Sequence, residues 1–236
     1  MDTPKRVTAK VTSIYILTRK VVQVDFEYID PSEISFKPGQ FFSLKVSDAK
    51  YRSYSIYSNY KNTKGFSIIA EIGHEGLGAN YIKSLKIGDT VDLIGPAGRF
   101  GLKEPLTENL YFFATGTGVS PFISFFHKLQ DDKYTGNIDL YFGVRHEQDL
   151  FFEDKLEEFA KSIKNFSYKI FISKPEDPDF TGNTGRITQM TESVDTSNSQ
   201  YYLCGNPDMI TEVGDLLQKR GISKENIVYE AFTYAK

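Results

Sequence analysis

Tryptophan is missing from the 236-residue chain, cysteine occurs once, and histidine and methionine occur three times each. The lone cysteine, Cys204, excludes an internal disulfide framework and any iron–sulfur cluster held by four cysteines of this sequence. Histidines at 74, 127 and 146 are too scattered for a dedicated metal site, so no metal is expected. Any redox chemistry then rests on an organic cofactor or on a partner. No apolar run approaches the length needed to span a bilayer, and Met1-Asp2-Thr3-Pro4-Lys5-Arg6 lacks the apolar core of a signal peptide. The expected compartment is the cytoplasm. No basic cluster suits nucleic acid.

What is present is the composition of a soluble globular protein, 40% apolar and 25% charged, in a length that suits two ordinary domains or one large one. The net charge of −3 hides an asymmetry. Residues 1–100 carry 14 Lys and Arg against 10 Asp and Glu, whereas the remainder carries 14 against 21. A mildly basic first half can attract an acidic partner, although solvated faces produce imbalances of this size routinely.

The patterning also divides the chain. Val7–Thr12, Val21–Phe26, Gln40–Val46, Tyr51–Ser58, Phe66–Ile72 and Thr90–Ile94 read as short strands. Turn signals such as Pro38-Gly39 and Gly88-Asp89 separate them, and only Ala79–Leu85 is helix-like. That pattern predicts a small antiparallel barrel or sandwich. From Leu110 strands alternate with helices: Leu110–Ala114, helix 120–130, Ile138–Val144, helix 150–163, Tyr168–Ser173, a short helix near 186–193, Tyr201–Cys204, helix 207–220 and Asn226–Glu230. Alternation of this kind predicts a parallel sheet covered by helices on both faces. The expected domains are 1–103 and 108–236.

The organising stretch is Phe112 to Phe122, in which an apolar strand stops at Thr115-Gly116-Thr117-Gly118 and an amphipathic helix begins near Pro121. Glycines let main-chain N–H groups approach a pyrophosphate closely, and the positive end of the helix dipole favours the negative charge. Pro121 suits a helix's first turn, where its missing N–H leaves no bond unmade. A two-glycine turn of this kind also joins strand to helix without any ligand, and the loop alone does not decide between the two. Arg52-Ser53-Tyr54-Ser55 offers a guanidinium for a phosphate, a ring for a planar ligand and a hydroxyl for a heteroatom. In a strand Arg52 and Tyr54 face the same way, and Ser55 faces the other way unless the strand twists or ends there. By itself that tetrapeptide is weak evidence, and a strand with an exposed Arg and a core Tyr is the better reading of it.

Taken in order, Arg52-Ser53-Tyr54-Ser55, Gly76-Leu77-Gly78-Ala79-Asn80-Tyr81, Gly95-Pro96-Ala97-Gly98-Arg99-Phe100, Gly116-Thr117-Gly118-Val119-Ser120-Pro121 and Cys204-Gly205-Asn206-Pro207-Asp208-Met209 resemble the successive motifs of the ferredoxin-NADP reductase family. The resemblance covers nearly the whole chain. It implies a flavin-binding β-barrel followed by a nicotinamide-nucleotide domain, with the flavin at the cleft between them. Arg52 would contact the flavin phosphate, Tyr54 would pack on the isoalloxazine, and Ser55 would hydrogen-bond near its N5. Gly76, Leu77, Gly78, Ala79 and Asn80 would offer main-chain N–H groups to the pyrophosphate of FAD. Many members have Ser or Thr where Ala79 stands, which removes one side-chain bond and leaves the backbone contacts.

In the second domain the resemblance assigns Thr115, Gly116, Thr117, Gly118 and Pro121 to the pyrophosphate of the nicotinamide nucleotide. Cys204, Gly205, Pro207 and Met209 would line the nicotinamide pocket, Glu230 would manage charge or a proton at the flavin, and Phe232, with Tyr234 as a rival, would cover the ring. Arg145, Ser173, Lys174 and Arg186 match positions where NADPH-using members place hydroxyl and basic groups. Glu176 and Asp177 set negative charge nearby, and the stretch from Asp179 to Arg186 also looks like that of NADH-using relatives. The expected cofactors are FAD and NADP, with NAD as the other choice.

The function implied is hydride transfer between NAD(P)H and FAD, with onward electron transfer to a separate ferredoxin or flavodoxin. Two alternatives stand beside it: an enzyme reducing free flavin, and a non-catalytic electron-transfer subunit that docks a larger enzyme.

Overall fold

The computed structural model describes residues 4–232. Two compact units divide them, one running through Gly101 and taking in Ser120–Lys128, the other holding Leu102–Val119 and the described residues from Leu129.

In the first unit β1 (Lys5–Ile16), β2 (Val21–Asp30), β3 (Phe41–Ser47), β4 (Lys50–Ser55), β5 (Gly65–Glu71) and β6 (Thr90–Ala97) form one antiparallel sheet in the order β4-β3-β6-β1-β2-β5. An isolated bridge between Ile56 and Ile68 brings the two edges together, which curls the sheet into a barrel-like shape. The period of two decides what is inside. Val7, Ala9 and Val11, then Val22, Val24 and Phe26, then Phe42, Leu44 and Val46 are buried while their neighbours in sequence are more exposed. Phe26, Tyr28, Phe42 and Phe66 stack or tilt against one another at the centre. Helix α1 (Leu77–Ser84) begins two residues before the apolar segment that predicts it.

The second unit contains β7 (Asn109–Thr115), β8 (Asn137–Val144), β9 (Phe166–Ile172), β10 (Asn183–Thr184), β11 (Ser199–Gly205) and β12 (Ile227–Ala231), all parallel, in the order β10-β9-β8-β7-β11-β12. Every residue of β11 is buried, as a sheet covered on both faces requires. Tyr111, Phe113, Tyr201 and Leu203 share one face with Met209, Ile210, Val213 and Leu217 of helix α4 (Pro207–Lys219). Helix α2 (Ser120–Asp131) carries Phe122, Ile123, Phe125, Phe126 and Leu129, all fully buried, as the spacing predicts.

Two expectations are corrected. Helix α3 (Glu153–Ser162) starts three residues later than 150, because Phe151 and Phe152 are buried and Phe152 takes a left-handed conformation at φ 70 that ends the preceding turn. The segment near 186–193 is a 3-10 turn (Ile187–Glu192), and the two-residue β10 has too little pattern to be seen. Among the described residues no helix is long and apolar enough to cross a membrane.

Candidate functional site

Strand β4 positions the first group of side chains. Arg52 lies opposite Leu44 and Tyr54 opposite Phe42, so both stand on the same face of the pleat, half-buried between the exposed Tyr51 and Ser53. Ser55 ends the strand opposite Phe41 and is buried. Helix α1 closes over Arg52 and Tyr54. A Cβ at Gly78 would lie 2.7 Å from the Tyr54 hydroxyl and 3.1 Å from Cγ of Arg52, so a side chain there would push these two side chains aside. Gly76 caps α1 without a side-chain hydrogen bond, and the first turn holds no acidic residue. The N–H groups of Leu77, Gly78 and Ala79 have no helical acceptor, and Gly78 lies against the Tyr54 hydroxyl and the stem of Arg52, whose guanidinium donates to the Tyr51 carbonyl at 2.9 Å. Burial pushes the Tyr54 hydroxyl up to about 12, partly opposed by the Arg52 charge, so it remains a neutral donor. Asn80 is exposed on the first turn, and its Nδ2 donates to the Glu75 carbonyl at 3.4 Å. A cation, a ring and first-turn N–H donors thus lie together here, Gly78 being glycine because α1 packs against Tyr54 and Arg52.

The second group lies at the carboxyl ends of the parallel strands. The chain leaves β7 for β8, β9 and β10 on one side and then returns to β11 on the other, so the connections diverge between β7 and β11. Parallel sheets bind ligands in the crevice at such a point. Thr115 ends β7 there, Gly116 and Thr117 follow it, and Gly205 follows Cys204 at the end of β11. Gly116 has φ +54, and a Cβ placed there would meet nothing within 4 Å, which leaves its main chain open to a ligand. Gly118 is glycine for a different reason: its Cβ would fall 2.6 Å from both the Cys204 carbonyl carbon and the Gly205 Cα. Close packing of the two strand ends, and not ligand approach, demands it. Thr115 links the same two ends, its Oγ1 accepting the Asn206 N–H at 2.9 Å. The Asn206 side chain caps α4 by accepting from the Asp208 N–H at 2.8 Å, with Pro207 in the first turn.

Cys204 is fully buried, and burial pushes its thiol well above the ordinary value, with the Glu230 charge adding to the effect. It is a neutral thiol and not a nucleophilic thiolate. Glu230 pairs with Cys204 in the β11–β12 register, and the Phe232 N–H donates to the Gly205 carbonyl at 3.1 Å. The structure thus brings Thr115, Gly116, Cys204, Gly205, Glu230 and Phe232 to one end of the sheet. Met209 is only 7% exposed and packs into the core below α4, while Pro121 is buried in the first turn of α2. Tyr234 lies outside the described residues.

Further along the same edge, the Lys174 N–H donates to the Arg145 carbonyl at 2.8 Å, which sets Arg145, Ser173 and Lys174 side by side, all three exposed. Arg186 follows β10 and pairs with Glu212 at 3.3 Å. Sequence reasoning missed three residues here. His146 Nδ1 lies 2.8 Å from the Lys174 carbonyl, Glu147 accepts from the Glu176 and Asp177 N–H groups, and Gln148 Nε2 donates to Glu176 at 3.0 Å. A carboxylate bonded to main chain 29 residues away leaves no periodic trace. Asn206, by contrast, is readable: Asn before Pro at the start of an apolar-periodic segment is a capping signature.

Residues 8–101 match the family described as the oxidoreductase FAD-binding domain, and residues 112–215 the oxidoreductase NAD-binding domain. Among curated proteins the chain is 32% identical over 228 residues to the toluate 1,2-dioxygenase electron transfer component of Pseudomonas putida, covering 95% of this chain and 67% of that one. It is 27% identical over 235 residues to the reductase component of propane 2-monooxygenase of Rhodococcus jostii, covering 96% and 64%. The chain therefore spans about two thirds of the length of these relatives. Among solved structures the Amycolatopsis cytochrome P450 reductase GcoB superposes with a TM-score of 0.89 at 24% identity, over 99% of this chain and 71% of that one, which is a likeness of fold.

Proposed function

The chain belongs to the ferredoxin-NADP reductase family of FAD- and NAD-binding oxidoreductases, and from that premise we propose that it passes electrons from NAD(P)H through FAD to a separate protein. The observation that carries the proposal is the pair of sites, one in each unit: the start of α1 packed at Gly78 against Arg52 and Tyr54, and the β7–β11 divergence at Gly116.

Bound FAD would supply the chemistry, accepting a hydride from the nicotinamide and releasing the electrons singly or as a pair. The chain's own residues bind and orient. Arg52 and the N–H groups of Leu77 to Ala79 hold phosphate charge, and Tyr54, kept neutral by burial, offers its ring as a wall and its hydroxyl as a donor. Ser55 holds a hydroxyl at the buried end of β4, where it can donate to a ring nitrogen. Gly116 and its neighbours receive the dinucleotide's pyrophosphate on main-chain donors. Cys204, as a neutral buried thiol, carries no charge into the end of β11, while Glu230 beside it can hold a negative charge or a proton. Arg145, Ser173 and Lys174 stand where the adenosine end would lie.

The acceptor follows from the relatives' names, which are electron transfer or reductase components of a dioxygenase and a monooxygenase. With one cysteine, which is buried, this sequence holds no four-cysteine cluster of its own. A one-electron acceptor such as a ferredoxin, a flavodoxin or an oxygenase component's own centre then completes the path, and the mildly basic first hundred residues suit an acidic surface.

The test is anaerobic stopped-flow at the flavin absorbance band with NADPH and NADH in parallel. Rapid bleaching by either nucleotide is expected. A colourless protein active only with added flavin would instead make it a free-flavin reductase, and a coloured protein indifferent to both nucleotides would make it a docking or electron-transfer subunit.

A further inference from the structure

Seven consecutive residues, from Ser173 to Asp179, are exposed, so no burial of apolar surface fixes the loop that follows β9. What fixes it is a run of three consecutive side chains on the neighbouring turn. His146 Nδ1 lies 2.8 Å from the Lys174 carbonyl and 3.2 Å from the Glu176 carboxylate, and Gln148 Nε2 donates to the same carboxylate. Between them Glu147 accepts the Glu176 N–H on both oxygens, at 2.9 and 3.0 Å, and the Asp177 N–H at 3.1 Å. A carboxylate on two successive main-chain donors is a charge-assisted clamp, and those donors hold the Glu147 carboxyl below its usual range, so it is ionised at neutral pH.

The clamp has a second effect. It engages the Glu147 and Glu176 carboxylates with donors within the two loops, while the exposed Arg145 and Lys174 are neighbours at the strand ends through the bond from the Lys174 N–H to the Arg145 carbonyl. A dinucleotide that starts at Gly116, just after β7, and extends toward β8 and β9 would bring its adenosine end to this side of the sheet.

We propose that the turn His146–Gln148 is a positioning latch in which Glu147 holds the 174–177 loop, and with it the Arg145–Lys174 pair, in the arrangement that receives the adenosine end of the dinucleotide. The inference rests on the reading of the second unit as the nucleotide-binding one. Pre-ordering the loop removes part of the entropic cost of binding, so the latch acts on affinity and leaves the hydride step alone.

The experiment compares wild type with Glu147→Ala and Glu147→Gln as FAD-loaded proteins. Calorimetric titration with NADP+ and NAD+ gives dissociation constants, and stopped-flow at saturating NADPH and NADH gives the limiting bleaching rates. In Glu147→Ala the dissociation constant of whichever nucleotide wild type binds more tightly should rise about tenfold, with the limiting rate unchanged. Glu147→Gln, whose amide oxygen still accepts one N–H, should recover part of the loss. Should Glu147→Ala fail to fold, Glu147→Gln and Gln148→Ala carry the comparison, each with a smaller rise. Unchanged dissociation constants, or a fall in the limiting rate with binding intact, would overturn the latch. Wild type binding neither nucleotide would overturn the nucleotide-site reading itself, and the latch with it.

Discussion

In the first unit the candidate phosphate and ring groups include side chains standing on one face of β4, beside the first-turn N–H groups of α1, whereas in the second the candidate pyrophosphate groups are main-chain groups at the ends of β7 and β11. The difference follows from sheet type. An antiparallel strand at the sheet's edge, as β4 is, keeps a half-exposed face from which Arg52 and Tyr54 can project. Strands β7 and β11 are buried along their length, so they can meet a ligand only where they stop. Recognition by side chains tolerates change in the backbone and fails when the residue changes. Recognition by main chain behaves in the opposite way.

Gly118→Ala tests the second half of that statement and should have the largest effect. The added carbon would meet backbone atoms of Cys204 and Gly205, which cannot swing aside as a flexible side chain can. We expect a loss of about 3 kcal/mol of stability in denaturant titration, centred on the second unit. Gly116→Ala meets nothing and carries only the strain of φ +54, about 1 kcal/mol. Equal costs at the two glycines would mean that their roles are not divided between packing and ligand access.

Arg52→Ala tests the first half. The guanidinium is half-exposed on a strand whose register does not depend on it, so the fold should hold while FAD affinity falls about thirtyfold. The flavin-to-protein absorbance ratio after purification, and titration of the apoprotein with FAD, measure this. Full retention of flavin would remove Arg52 from the phosphate site and with it the contrast between the units.

The same contrast explains what is legible in the sequence. Alternation in β1 to β6 and the apolar blocks of β7, β8 and β11 reflect one-sided and two-sided burial, and both are visible as periodicity. Arg52 and Tyr54 can be placed on one face from the period of two alone. Their meeting with Gly78 cannot, because it joins residues 24 and 26 apart through the packing of α1 onto the sheet. The separate duties of Gly116 and Gly118 are hidden for a similar reason, since the pattern Gly-Thr-Gly looks the same whether a glycine faces solvent or a neighbouring strand. Periodicity places helix α3 too early because Phe151 and Phe152, packed on each other and, through Phe151, on Phe142, mimic the first turn of an amphipathic helix. Long-range bonds from a side chain to main chain, such as those of Glu147, have no periodicity at all.

Cys204 offers a smaller effect with a definite sign. In the folded chain burial keeps the thiol protonated, while in the unfolded chain it ionises near about pH 8.5. Above that pH the unfolded state binds fewer protons, so the stability contributed by the neutral buried thiol declines as pH rises. Wild type should lose stability relative to Cys204→Ala between about pH 8 and 10, read as the difference between their denaturation midpoints. The native protein should also resist alkylation at neutral pH. Rapid modification of the folded chain would mean that the β11 end opens far more readily than a fully buried residue implies.

The finest distinction lies within the second unit, between binding a dinucleotide by main chain and choosing between two dinucleotides by side chain. Pyrophosphate contacts at Gly116 are common to NADH and NADPH, so only groups such as Lys174 and Arg145 can separate them. Arg186 is a weaker candidate, because its guanidinium already faces Glu212. Lys174 is exposed and screened by solvent, which limits its worth to a few-fold. Lys174→Ala should weaken NADP+ about fivefold and NAD+ hardly at all, and added salt should shrink the gap. Equal losses for both nucleotides would show that Lys174 touches the shared part of the ligand. In that case the choice between them would be made by main chain and loop shape, and the side-chain mode would belong to the first unit alone.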